Sequence, residues 1–171
     1  AVINTCKYLE SRGFSVTYLD VDKTGKVLPE KVEQAIRPDT ILISVMTANN
    51  EVGTIQPIHE IGTLARQKGI LFHTDAVQAF CHLPVDVNAD CIDLLSASAH
   101  KLRGPKGVGL LYMRKGVKLD ALLNGGQQEK GRRSGTENVA GIVGFAAAAS
   151  YTSEICRKEK EAVKKMRDRL I

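Results

Sequence analysis

Three side chains capable of chemistry stand close together in the stretch SASAHKLRGPKGVG. Ser98 and His100 supply a hydroxyl and an imidazole, which suit a phosphate group, and Lys101 follows directly. A lysine in a desolvated cleft can lose its proton and attack a carbonyl carbon to form a Schiff base. The stretch therefore indicates a nucleophilic lysine or a phosphate-binding cation, with a solvated surface charge as the simplest alternative.

Two further polar clusters accompany this one, and each follows an apolar segment. The three clusters are Asn49–Glu51 after TILISVM, His73–Asp75 with Gln78 at the end of ILFHTD, and Ser96–Lys101 at the end of DLLSAS. In parallel α/β sheets, ligands bind at the carboxyl ends of the strands. Taken singly, Asn49 and Asn50 are also explained as turn residues, and Asp75 as a helix N-cap. Their convergence on one sheet edge favours a binding site.

Asp75 gives Lys101 a chemical partner. A carboxylate can pair with a cationic ring nitrogen, and Gln78, one helical turn later, is expected to share that surface. If the strand stays regular, Ser98 and His100 point to one side and Lys101 to the other. A carboxylate, a lysine and a phosphate seat together are typical of a pyridoxal phosphate (PLP) site, in which the carboxylate keeps the pyridinium protonated and the lysine holds the aldehyde.

A nucleotide-binding loop is the competing interpretation of GPKGVG. A P-loop requires lysine directly after its second glycine and then a hydroxyl, whereas Lys106 precedes Gly107 and Val108 follows. The fingerprint G-x-G-x-x-G of dinucleotide-binding proteins is missing from the sequence as well. Gly104 and Pro105 are therefore expected only to turn the chain between two strands.

Alternating patterns predict the elements that position these clusters. Helical patterns cover VINTCKYLESRG, PEKVEQAI and IHEIGTLARQKG, and strand patterns cover FSVTYL, TILISVM, ILFHTD, DLLSAS and VGLLYM. The apolar run TILISVM predicts a strand buried on both faces. Only about ten residues link DLLSAS to VGLLYM, too few for a parallel crossover, so VGLLYM is predicted to be antiparallel. From about Glu137 onward the pattern indicates one long helix or two.

The sequence thus predicts one α/β domain over residues 1–171, with a mostly parallel sheet, one antiparallel strand and flanking helices. Its 171 residues, 43% of them hydrophobic, are enough to bury a core. The net charge of +5 resides partly in RKEKEAVKKMRDR, whose alternating signs are typical of a solvated helix face. Without aromatic interleaving or a recognisable module, the pattern argues against a nucleic-acid partner.

The remaining composition points to a cytoplasmic protein. No apolar run reaches the roughly 20 residues of a membrane span, and no charged-then-apolar leader opens the sequence. The cysteines lack the spacing of a metal site or a disulfide framework, so we expect buried, reduced thiols and no metal. They are Cys6, Cys81, Cys91 and Cys156.

Four stretches resemble the PLP-dependent cysteine desulfurases of the class V aminotransferase family, which also contains selenocysteine lyases. They are TANNEVG, HTDAVQ, SAHKLRGPKGVGLLY and GGQQEKGRRSGTEN, in this order. The resemblance covers essentially the whole chain, and SAHK followed by GPKG, with RSGTEN downstream, is its most specific part. It implies the large, cofactor-binding domain of the aspartate-aminotransferase-like PLP-dependent transferases.

The resemblance implies a role for each matching residue. Lys101 is expected to form the Schiff base with PLP and to move the proton of the substrate, while Asp75 bonds the pyridinium and Gln78 the phenolic oxygen of the ring. The other assignments are Asn50 near the cofactor and the substrate amine, Ser98 and His100 on the phosphate, and Thr136 on the phosphate of the neighbouring subunit of a homodimer. Two positions depart from the family, Arg103 where an aromatic residue is frequent and Gln127 in a glycine triplet, but neither is a cofactor ligand.

Four family residues fall outside this sequence. A phosphate-binding threonine and a ring-stacking histidine would precede Ala1, and the nucleophilic cysteine and a carboxylate-binding arginine would follow Ile171. The sequence also begins at Ala1 within a helical pattern and without Met, so we interpret it as a fragment of the large domain, without the N-terminal segment and the C-terminal small domain.

The function that the resemblance implies is removal of sulfur from L-cysteine, giving alanine and an enzyme persulfide. The persulfide would supply sulfur-acceptor proteins of iron–sulfur cluster assembly or tRNA thiolation. We expect the chain by itself to have little desulfurase activity, because the cysteine region is missing. Selenocysteine lyase activity and a non-catalytic scaffold with the same fold are the alternatives.

Overall fold

A four-stranded sheet forms the centre of the computed structural model, which describes residues 2–171. The strands are β1 (Leu42–Ser44), β2 (Leu71–Asp75), β3 (Leu94–Ser98) and β4 (Gly109–Met113), in the spatial order β1-β2-β3-β4. The first three strands are parallel, and β4 runs antiparallel to β3. The predicted sheet is therefore confirmed, including its one antiparallel strand. The predicted place of Ala1 within the first helix lies outside the described residues.

Residues 2–171 also contain five helical segments. They are α1 (Val2–Ser11), α2 (Pro29–Ala35), α3 (Ile58–Lys68), α4 (Gln128–Gly131) and α5 (Val139–Leu170), and a short 3-10 helix spans Ala99–Leu102. Of these, α4 is only a short turn with Glu129 and Lys130 in the left-handed conformation. Local sequence explains their ends. Pro29 occupies the first turn of α2, where its missing N–H is not needed. Gly69 ends α3 in the left-handed conformation, and the Asn138 side chain caps α5 by accepting from Gly141 N.

The core lies between one face of the sheet and α3. Phe72 of β2 and Ile61 of α3 are fully buried, and complete burial of each side chain stabilises the fold by about 1.5–3 kcal/mol. Gly62 allows α3 to pack closely against the backbone at Asp90, because a Cβ at position 62 would lie 2.0 Å from Asp90 O. The opposite face of the sheet carries His73, Asp75, Ser96 and Ser98, which are only half-buried.

Two strand predictions were wrong in part. TILISVM forms a strand only over Leu42–Ser44, and this strand is at the edge of the sheet, so Leu42 is 45% exposed instead of buried. FSVTYL has no strand, because no neighbouring strand pairs with it among residues 2–171. Arg37 holds this segment instead, through Thr17 Oγ1 at 2.8 Å and Ser15 O at 3.4 Å.

The C-terminal pattern forms one helix of 32 residues, α5. By length and composition, α5 is the one helix of the described residues that is long and apolar enough to cross a membrane. Its apolar half, however, also packs against the domain. Phe145 is buried and meets Phe80 edge-to-face with ring centroids 6.1 Å apart, and buried Thr152 bonds Leu102 O. We therefore interpret α5 as a helix of the folded domain.

Candidate active site

The predicted polar clusters meet at the carboxyl edge of the three parallel strands. Asp75 is the last residue of β2 and pairs with Ser96 of β3, and Ser98 is the last residue of β3. Beyond the end of β1 the chain stays beside β2, because Thr47 N donates to Asp75 O at 2.8 Å. The loop that carries Asn50 therefore leaves from the same edge, and the sequence argument for one shared edge is confirmed.

Ser98 and His100 form a hydrogen-bonded pair, with 2.6 Å between Ser98 Oγ and His100 Nδ1. Strand alternation does not produce this pair, since the strand ends at Ser98 and the 3-10 helix follows. The prediction that Lys101 points away from them by alternation therefore has no basis. The turn closes on itself through Ala99 N to Val108 O at 3.0 Å, and Arg103 adopts the left-handed conformation with φ 61°.

Lys101 is exposed on the 3-10 helix. Among residues 2–171 no carboxylate lies within ion-pair distance of its ammonium group, so its amine is available to a ligand. The described residues alone do not form the desolvated cleft that was expected around it. Packing against α5 holds the 3-10 helix in place, because Leu102 is buried and its carbonyl accepts from Thr152 Oγ1 of α5 at 3.3 Å.

Asp75 is half-buried, and its Oδ1 accepts from Val77 N at 3.0 Å. Gln78 follows within a series of hydrogen-bonded turns, in which Phe80 N donates to Ala76 O at 2.7 Å. The predicted helical turn after Asp75 is thus a local turn, and Gln78 is half-buried within it.

Asn49 and Asn50 have different surroundings. Asn49 Oδ1 accepts from Glu51 N and Val52 N, both at 2.9 Å, which makes it the turn residue that was one of the alternatives. Asn50 is exposed at the top of the loop. Buried Gln56 anchors the other end of this loop by accepting from Val27 N at 2.8 Å and donating to Gly25 O at 2.7 Å. The role of Gln56 could not be predicted from the sequence, because both of its partners are backbone groups about 30 residues earlier in the chain.

Thr136 lies in the segment before α5 and is exposed. No hydrogen bond joins it to the other candidate residues within the part of the chain that the structure describes. Its neighbour Ser134 is buried and donates to Gly126 O at 2.9 Å, which orders the loop around it. The single chain therefore leaves Thr136 separate from the strand edge.

His73 forms a hydrogen-bonded row with two serines, for which sequence analysis assigned no role. Its Nδ1 lies 2.8 Å from Ser44 Oγ of β1, and its Nε2 lies 2.9 Å from Ser96 Oγ of β3. We call Ser44, His73 and Ser96 the cross-strand row. Burial lowers the pKa of His73 below its usual 6.5, although the negative charge of Asp75 acts in the opposite direction.

The residues at this edge fit pyridoxal phosphate. Asp75 and Ser98 lie on adjacent strands and two residues apart in register, which corresponds to about 8 Å from strand spacing and rise. A carboxylate at one end and a hydroxyl–imidazole pair at the other match a ligand with a cationic ring nitrogen and a phosphate. Lys101 provides a free amine directly after the pair.

The four cysteines are free, and they are half-buried instead of fully buried as expected. A groove of about 560 Å³ also exists in the described structure, lined by Arg103, Pro105 and Tyr151 among others. It lies between the turn after the 3-10 helix and α5, away from Asp75 and Asn50. Chemical complementarity, not concavity, therefore locates the candidate site.

Comparison with known proteins finds relatives that match along most or all of the chain. The chain is 58% identical over 171 residues to the cysteine desulfurase IscS of Methanosarcina thermophila, covering 100% of this chain and 42% of that protein. It is 59% identical over 154 residues to the putative cysteine desulfurase IscS 1 of Bacillus subtilis, covering 90% and 41%. The chain thus spans about two-fifths of the length of the curated relatives it matches.

Solved structures share the fold. A NifS-like protein superposes with a TM-score of 0.95 at 45% identity, covering 99% of this chain and 47% of that one. SspA in complex with cysteine superposes with a TM-score of 0.86 at 50% identity, covering 87% and 44%. The aminotransferase class-V family matches residues 1–170. The chain therefore belongs to the class-V aminotransferases.

Proposed function

We propose that the protein containing this chain is a PLP-dependent cysteine desulfurase, which removes sulfur from L-cysteine and leaves alanine and an enzyme persulfide. The observation that carries the proposal is the sheet edge where Asp75 and Ser98 end two adjacent strands, with His100 and Lys101 on the 3-10 helix that follows Ser98. The names of the relatives and the cysteine bound to SspA support the choice of reaction and substrate.

Each residue would act through the chemistry of its own side chain. When bound, pyridoxal phosphate would supply an electron sink for bond breaking at the α-carbon of the substrate. The Asp75 carboxylate would hold a proton on the ring nitrogen, and the Lys101 amine would accept the α-proton. Gln78 would bond the phenolic oxygen of the ring, and Asn50 would face the substrate amine.

Ser98, His100 and Thr136 would bind phosphate. The first two are already paired in one chain, so they need no rearrangement to present a hydroxyl and an imidazole. Thr136 would reach the phosphate of a neighbouring subunit, because the single chain does not join it to the strand edge. We therefore propose a homodimer with composite sites, active in the cytoplasm, that passes sulfur to acceptor proteins.

Replacement of Lys101 by alanine tests the assignment. With added PLP, the wild-type protein should develop a visible absorption band that borohydride abolishes, and Lys101→Ala should lose both the band and borohydride fixation. Lys106→Ala is the matched control, since Lys106 is an exposed lysine on the same turn. Covalent fixation of PLP that survives in Lys101→Ala contradicts the role of the lysine, and no band in the wild-type protein favours the scaffold alternative.

We also propose that the 171-residue chain alone has little desulfurase activity. None of its four cysteines is a direct sequence neighbour of Asp75, Ser98, His100 or Lys101, and a thiol nucleophile is required for persulfide formation. Alanine release from L-cysteine by the purified chain, with and without PLP, measures this. Release at the rate of the full-length protein contradicts the proposal. Comparison of L-cysteine with L-selenocysteine in the full-length protein distinguishes a desulfurase from a selenocysteine lyase.

A further inference from the structure

The cross-strand row directly precedes, along the strands, the residues of the proposed cofactor site. His73 is two residues before Asp75 on the same face of β2, and Ser96 is two residues before Ser98 on the same face of β3. None of the three was assigned a role in binding or catalysis. We propose that His73 is a positioning residue, which bonds Ser44 and Ser96 together and thereby fixes the strand ends that present Asp75, Ser98 and the Asn50 loop. This inference rests on the proposed function.

The cross-strand row is important because β1 is short. β1 has three residues, and only single backbone bonds continue its ladder with β2, from Val45 N to His73 O at 3.1 Å and from Thr47 N to Asp75 O at 2.8 Å. The bond of His73 to Ser44 adds a side-chain link to this ladder near the point where the Asn50 loop departs, and the bond to Ser96 ties β2 to β3. Loss of the row would loosen β1 at the end that faces the site.

The geometry explains why an imidazole is suited to this position. Ser44 and Ser96 lie on strands two spacings apart, about 10 Å, which two hydroxyls cannot bridge. An imidazole has nitrogen atoms on opposite sides of a rigid ring, and each can donate or accept depending on the tautomer. The hydroxyls adjust to either tautomer, so both bonds form with a neutral ring.

The electrostatic surroundings of His73 also support its role as a positioning residue. From β1 and β3 the imidazole faces the hydroxyls of Ser44 and Ser96, and the charged group that acts on it is Asp75 on its own strand. Because burial lowers the pKa of His73, the ring is uncharged near neutral pH. The Asp75 carboxylate then has no cationic neighbour on β2 that competes with a ligand ring nitrogen.

The test compares His73→Leu, His73→Gln and the double variant Ser44→Ala/Ser96→Ala in the full-length protein. His59→Leu is the matched control, because His59 is an exposed histidine on α3. Three quantities are measured in each: the PLP dissociation constant from the visible band, hydrogen exchange of the Val45 and Thr47 amides without cofactor, and the melting temperature. Loss of two hydrogen bonds should weaken PLP binding about ten-fold in His73→Leu and speed hydrogen exchange of the Val45 and Thr47 amides, which bond to β2.

The double serine variant should also bind PLP more weakly than the wild type. His73→Gln should lose less PLP affinity than His73→Leu, and His59→Leu should keep the wild-type affinity. A folded His73→Leu protein with wild-type PLP affinity and unchanged hydrogen exchange at Val45 and Thr47 overturns the inference, even if its melting temperature falls. If His73→Leu does not fold, the same readouts in the double serine variant decide. If the wild-type protein binds no PLP, the proposed function fails, and hydrogen exchange at Val45 and Thr47 in the cofactor-free protein still supports or overturns the role of His73.

Discussion

Asp75 combines a structural contact with a free functional group. Its Oδ1 accepts from Val77 N, as a capping residue does, and this contact fixes the carboxylate at the strand end. The sequence offered capping and ligand binding as alternatives, but the structure makes them compatible. At the next loop the two roles are divided, since Asn49 stabilises the turn and Asn50 is exposed.

His73 should make the stability of the protein depend on pH. Its pKa is lowered from 6.5 in the folded state, so the unfolded chain binds this proton more readily than the folded chain does. The free energy of unfolding should therefore fall as the pH decreases below about 6.5, down to the folded-state pKa. Urea unfolding between about pH 7.5 and pH 5.5 should show a smaller loss in His73→Gln than in the wild type. Equal losses in the two proteins contradict this prediction.

Asp93 is a buried carboxylate at the opposite end of the strands. It is 2% exposed, accepts from Phe72 N at 2.9 Å and pairs with Arg114 and Arg66. Asp93→Ala should lower the free energy of unfolding by about 1–3 kcal/mol, because the buried Phe72 N–H loses its acceptor. Asp39→Ala is the control, because its pair with Arg37 is exposed to solvent, and it should change the free energy of unfolding much less than Asp93→Ala does. Equal effects in denaturant titrations would show that burial of Asp93 is not decisive.

At the scale of elements, local signals were sufficient where the sequence contains a stop or a length limit. Gly69 marks the end of α3, Pro29 the start of α2, and the ten-residue link before β4 requires an antiparallel strand. Signals failed where the neighbour decides the structure. Apolar runs such as TILISVM cannot show whether a strand is central or at an edge, and FSVTYL has strand-forming residues but no partner among residues 2–171.

The same division applies to the candidate site: features that follow from local sequence could be predicted, and features that depend on contacts between strands could not. The residues at strand ends follow from the alternation of elements, so Asp75 and Ser98 could be placed on one edge. The 3-10 helix that carries Lys101 and the bonds of His73 to Ser44 and Ser96 could not, because they depend on contacts between separate strands.

Gly62 tests how closely α3 packs on the domain. A Cβ at this position would lie 2.0 Å from Asp90 O and 3.0 Å from the Phe72 ring, so the helix must move outward to accommodate it. Gly62→Ala should therefore lower the free energy of unfolding by about 1–3 kcal/mol despite the better helix propensity of alanine. Gln67→Ala, at an exposed position of the same helix, should stay within about 0.5 kcal/mol of the wild type. A neutral Gly62→Ala protein in denaturant unfolding contradicts this close packing.

At the scale of the whole molecule, large apolar side chains remain exposed on several elements. Leu111 of β4 is 54% exposed, Leu122 in the following loop is 93% exposed, and Val143 of α5 is 62% exposed. Exposed apolar surface is frequent where proteins contact other proteins. Its distribution is consistent with the proposed homodimer and with a chain that spans about two-fifths of its relatives.

The antiparallel β4 has a consequence for the order of folding. Pairing of β3 with β4 closes a loop of only the ten residues 99–108, whereas β1 and β2 pair across residues 45–70. By loop-closure entropy the shorter loop is favoured by about 0.8 kcal/mol. In pulsed hydrogen exchange during refolding, we expect the amides of Leu110 and Tyr112 to be protected before that of Ile43, and simultaneous protection contradicts this. The hairpin that carries Lys101 would then exist before the edge that holds Asp75 and Asn50 is complete, so the lysine turn is a local structure to which the remaining site is added.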